Sequence, residues 1–118
     1  MAVWLHAGLI ERLSTAAKRE IEDNELLLSP MVLLEMHYLY RRKRIAVEPA
    51  ALFSYLNTTF GIAVCDYPFA AVALAAISVD WTDDPFDRII VAQASANHDS
   101  ALITADTEIR RHYQPAVW

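Results

Sequence analysis

The stretch Asp84-Pro85-Phe86-Asp87-Arg88-Ile89-Ile90-Val91-Ala92-Gln93-Ala94 decides the fold. Aspartate before proline marks a helix start. The carboxylate accepts from the free N–H groups of the first turn, and proline occupies a first position that needs no N–H. Asp87 adds a second negative charge to that turn, where the helix dipole favours it. Ile89, Ile90 and Ala94 carry on an apolar face, so the spacing predicts a helix from Asp84-Pro85 to about Asn97.

Working outward, residues 101–104 read as a strand, 106–113 as a short helix and 116–118 as a last edge strand. Upstream, Ser14 is an N-cap for a helix to about Asn24, and Leu26-Leu27-Leu28 fits a buried parallel strand. Ser29-Pro30 opens a helix to about Lys43, and Pro49 another to about Phe60. Residues 62–65 are a second strand candidate, and Pro68 starts a helix to about Val79. Strands separated by helices imply parallel pairing in a layered α/β fold, whose ligands sit beyond the carboxyl ends of the strands.

Four acids fall where that rule places a site. Glu35 follows the 26–28 strand on its helix, Asp84 and Asp87 open theirs, and Asp106 follows the 101–104 strand. Strand exits and helix starts of a parallel layer face one edge, so acids from three distant segments are expected there. Each also has a purely structural role open to it. Asp84 and Asp106 make good caps and Asp87 a favourable first-turn anion. Glu35, in Met31-Val32-Leu33-Leu34-Glu35-Met36, cannot cap mid-helix and needs a cation, a hydrogen-bonding network or water. Mg²⁺ or Mn²⁺ suits such carboxylates, one ion activating water against a phosphodiester and a second steadying the leaving oxygen. Zinc does not fit, because His6, His37, His98 and His112 are scattered and no Cys/His spacing makes a cage. No Gly-rich phosphate loop or nucleophile elbow is present.

Composition bounds the rest. At 118 residues the chain is the size of one domain, 1–118, and 55% apolar content with two glycines excludes a disordered one. The longest apolar run, 69–79, is about half of a membrane span. No secretion leader is seen, and the single Cys65 reads as a small buried residue, so a reducing cytoplasm is expected. A net charge of −5 argues against tight non-specific nucleic-acid binding, although a carboxylate site is acidic by necessity and bound ions reverse its local charge. Arg41-Arg42-Lys43-Arg44 and Arg110-Arg111 are local basic clusters. The first reads as a solvated helix end or as an RNA contact. Tyr38, Leu39 and Tyr40 read as core and interface residues rather than base-stacking groups, and Trp4, Trp81 and Trp118 as packing residues rather than ligand platforms.

The order apolar strand, Ser29-Pro30, Glu35-Met36, Asp84 to Ala94, then Leu102-Ile103-Thr104-Ala105-Asp106 resembles PIN-domain proteins, and in particular the VapC-like toxins of bacterial toxin–antitoxin pairs. The likeness covers essentially the whole chain. It implies a three-layer fold with a central, mainly parallel sheet. It also implies a Mg²⁺-dependent endoribonuclease that cuts cellular RNA to stop growth, held in check by a VapB-like antitoxin and commonly a homodimer. By position Glu35, Asp87 and Asp106 would be metal-site acids, Thr104 a supporting hydroxyl and Asp84 a neighbour. Arg88 would steady a phosphate or pair with a site acid.

One departure stands out. The family opens with a strand ending in a first acid, just before the segment matching Val3-Trp4-Leu5, and here Met1-Ala2 stands where that element has ended. Glu11 lies too far along to replace it. Two explanations follow: a natural start further upstream, which we favour, or a shortened, inactive copy that still binds an antitoxin. Without a central strand the chain is expected to aggregate or fold weakly, because apolar edges would be left open.

Overall fold

The computed structural model describes residues 14–118. The segment Val3-Trp4-Leu5, the strand expected before it and Glu11 lie outside the described residues. The chain forms two compact units, Met1–Cys65 and Asp66–Trp118.

The first unit contains α1 (Thr15–Asp23), β1 (Leu27–Leu28), α2 (Pro30–Arg41), α3 (Pro49–Phe60) and β2 (Ala63–Val64). Its helices start where the sequence says. Ser14 accepts from the Ala17 N–H at 3.1 Å, and Ser29 from the Met31 N–H at 3.2 Å ahead of Pro30. The core faces follow helical spacing, with Val32 and Met36 on α2 and Leu52 and Leu56 on α3 all buried. Gly61 ends α3 at φ 70°, a left-handed position that glycine takes without a Cβ clash. β1 and β2 pair in parallel, Leu27 opposite Ala63 and Leu28 opposite Val64. Leu28 is buried whereas Leu27 is 48% exposed, so the triple-leucine run is covered on one face only. Cys65 is buried, as expected.

The second unit contains α4 (Phe69–Ala76), α5 (Pro85–Ala96), β3 (Leu102–Ile103), α6 (Thr107–His112) and β4 (Ala116–Val117). α5 packs on α4 and buries Ile90, Val91, Ala92 and Gln93. β3 and β4 again run parallel, so the expected parallel pairing occurs in both units. Ile109 within α6 and Tyr113 just beyond its end are buried.

Two helices end earlier than expected. α2 stops at Arg41 because Lys43 turns left-handed at φ 59° and folds the chain back. α4 stops at Ala76, and three tight backbone bonds, from Ile77, Ser78 and Val79 back to Leu74, Ala75 and Ala76, replace the last helical turn. Tyr38 and Tyr40 are not core residues: they are 42% and 39% exposed. The inward stripe of α2 runs through Val32 and Met36, and Tyr38 lies about 200° round the helix from Met36. No described helix is long and apolar enough to cross a membrane.

Candidate functional site

The start of α5 is built from short-range bonds. The Thr82 hydroxyl accepts from the Asp84 N–H at 3.2 Å, and the Asp84 carboxylate then accepts from Phe86 at 2.8 Å and Asp87 at 3.4 Å. Asp84 is therefore the N-cap, with Pro85 at the first helical position. Asp87 follows in the first turn, half-buried.

Arg88 points elsewhere. Its guanidinium donates to the carbonyls of Ala76 at 3.3 Å and Ile77 at 3.2 Å. These carbonyls lie at the end of α4, where Ala76 also accepts from the Val79 N–H, so Arg88 fastens α5 to α4. That is a structural task the sequence did not disclose. It occupies N–H groups otherwise free to meet a phosphate.

At the exit of β3, Thr104 is fully buried and its hydroxyl accepts from the Asp106 N–H at 3.0 Å. Asp106, half-buried, accepts from Glu108 at 2.8 Å and Ile109 at 3.1 Å. Thr104 thus supports Asp106 through its backbone, and Asp106 caps α6. Glu35 belongs to the first unit, half-buried on α2 between the turns that bury Val32 and Met36.

The structure thus joins Asp84 to Asp87 within one helical turn, and Thr104 to Asp106 across one strand exit. Among the described residues, no three His, Cys, Asp or Glu side chains group closely enough to hold a metal ion. Asp84 and Asp106 direct carboxylate oxygens into helix starts. The described side chains do not by themselves form a divalent-ion cradle.

Trp81 stacks flat on His112, centroids 4.6 Å apart and planes 4° from parallel. His112 also approaches the Glu108 carbonyl through Nδ1 at 2.9 Å, and Arg111 pairs with Glu108 at 3.0 Å on the surface. The Tyr113 hydroxyl donates to the Ser100 carbonyl at 2.6 Å, and burial, aided by the Asp99 charge, pushes its pKa up to about 12. In the first unit the Arg42 guanidinium lies 4.6 Å from the Tyr38 ring centroid. Their i, i+4 spacing was the available signal for that pair.

No curated protein and no solved structure matches the chain. The PIN domain family model matches residues 2–114, a range that takes in Glu35, Asp84, Asp87, Thr104 and Asp106. PIN domains are generally nucleases and generally use divalent metal ions. With alternating helices, parallel strand pairs and this match over nearly its whole length, the chain belongs to the PIN domain family.

Proposed function

We propose that this protein is a Mg²⁺- or Mn²⁺-dependent endoribonuclease of the VapC-like toxin kind, with Glu35, Asp87 and Asp106 as its essential acids. The family match carries the proposal. Two further observations support it. Glu35 is a carboxylate in an apolar helical stretch, where no capping role accounts for it. Asp87 is not needed for the cap, since Asp84 accepts both first-turn N–H groups, and the helix dipole also favours its charge. Asp84 and Thr104 act as positioning groups, one setting the turn that carries Asp87 and the other the backbone of Asp106. A VapB-like antitoxin and a homodimer belong to the same proposal and rest on family likeness alone.

Cleavage of single-stranded RNA with Mg²⁺ or Mn²⁺ added after chelation tests this directly. Wild type cuts and arrests growth when expressed, and Glu35→Gln and Asp87→Asn each abolish both effects. Retained cleavage in both variants rules out these acids.

A second function has an observation behind it. Asp84 and Asp106 are already bonded as caps, which suits a PIN-like module that binds an antitoxin and cuts nothing. Failure of added metal to raise the melting temperature or yield cleavage, with antitoxin binding intact, would establish it.

A further inference from the structure

The C-terminal end of α2 carries four consecutive cations, Arg41, Arg42, Lys43 and Arg44, in a chain of net charge −5. A helix end favours cations through its dipole, so their presence alone says little. Three details go further.

First, the last carbonyls of α2 do not need them. The Lys43 N–H donates to the Tyr40 carbonyl at 3.0 Å and the Arg44 N–H to Leu39 at 2.9 Å, which is a complete Schellman closure by backbone alone. Lys43 occupies its left-handed position at φ 59°, where glycine would sit with less strain. Second, among the described residues no carboxylate pairs with any of the four cations, and all four are exposed. Third, Arg42 lies over the face of the exposed Tyr38 ring, which makes a flat, charged surface. Beside it is an open cleft of about 610 Å³ lined by Tyr40, Arg41, Lys43, Arg44, Ile45 and Ala46.

We propose that this end of α2 is a platform for single-stranded RNA, on which Tyr38 and Arg42 stack a base while Arg41, Lys43 and Arg44 hold phosphates. The choice of RNA rests on the ribonuclease proposal above, which it deepens by naming where the substrate strand lies. Aromatic faces interleaved with cations suit unstacked bases on a phosphate chain. An acidic peptide would use the charges and leave the ring idle, and duplex RNA keeps its bases out of the ring's reach. The position also fits. Arg42 follows Glu35 by two helical turns on the same side of α2, about 10 Å along the axis. A strand lying at Glu35 therefore passes the platform within a few nucleotides.

Binding of a short fluorescein-labelled single-stranded RNA, followed by anisotropy in EDTA, tests the platform without cleavage. Tyr38→Ala is expected to weaken binding roughly tenfold. Arg42→Lys keeps the salt dependence and loses part of the affinity, because lysine does not stack as a planar fork. Arg44→Gln lowers the log–log salt slope by about 0.7 if it holds one phosphate. Lys43→Gly raises the melting temperature while weakening RNA binding, a pairing that a damaged fold does not produce. Unchanged affinity in both Tyr38→Ala and Lys43→Gly overturns the platform, as does absence of RNA binding by wild type. If the same variants lose binding to polyglutamate, used as an acidic-peptide probe, while binding RNA as wild type, the platform is also overturned and the face docks protein. The two proposals fail separately. Variant-sensitive RNA binding with no cleavage under any metal removes the ribonuclease and leaves the platform. Cleavage that depends on Glu35, with Tyr38→Ala binding as wild type, does the reverse.

Discussion

The starts of α5 and α2 follow the same recipe and place their acids differently. Each has a capping oxygen followed by proline, Asp84-Pro85 in one and Ser29-Pro30 in the other. In α5 both acids lie within the first turn, where capping and the helix dipole already account for negative charge. In α2 the acid is Glu35, beyond the first turn and half-buried beside Val32 and Met36. The contrast teaches that the more conspicuous motif is the less diagnostic one. Acids at a helix start have a capping reason to be there, whereas Glu35, mid-helix, caps nothing.

The contrast breaks most sharply at Glu35 itself. Glu35→Gln is expected to remove cleavage entirely while leaving the melting temperature close to wild type, since glutamine keeps the side chain's length and hydrogen-bonding capacity. A fall in melting temperature would instead mark Glu35 as a structural residue. Asp87→Asn should likewise remove activity and shift stability by less than about 1 kcal/mol, the dipole contribution of one first-turn charge. Arg88→Met comes next. It removes the guanidinium bonds to the Ala76 and Ile77 carbonyls, of which Ala76 keeps its bond from Val79, and should cost about 1–3 kcal/mol in denaturant unfolding. Asp106→Ala and Ser29→Ala should each cost about 1 kcal/mol, and Asp106→Ser should restore most of that stability. If Asp106→Ser folds as wild type and still fails to cut, its carboxylate has a task beyond the cap.

The effect at Tyr113 is confined to alkaline pH. Its pKa is raised from 10.0 in the unfolded chain to about 12 in the fold, so the neutral phenol is the form the fold favours. The stabilisation is complete below about pH 10 and is lost as pH rises towards 12. Tyr113→Phe should flatten that alkaline loss, read as melting temperature against pH.

Legibility in the sequence followed the range of each interaction. The caps at Ser14, Ser29, Asp84 and Asp106 reach two or three residues along the chain, and each was readable from residue type and spacing. The early end of α2 was not, because lysine gives no hint of the left-handed turn that glycine would announce. The end of α4 was hidden for another reason: Arg88 reaches back eleven and twelve residues to its carbonyls, with no local pattern to mark the contact. At the site, residue types and the order of the acids were legible. The capping roles of Asp84 and Asp106 follow from residue type and position, but the work of Arg88 and the exposure of Tyr38 depend on packing.

The two parallel strand pairs carry a consequence for the order of assembly. Parallel neighbours cannot be joined by a tight hairpin, so each pair must close a loop through intervening helix. β3 and β4 enclose only α6, whereas β1 and β2 enclose both α2 and α3. The longer closure carries an extra entropic cost of up to about 1 kcal/mol before any contact rewards it. On refolding, amides of β3 and β4 should gain hydrogen-exchange protection ahead of those of β1 and β2. The segment bearing Asp106 would then be in place while the strand that leads into the Glu35 helix is still searching for its neighbour.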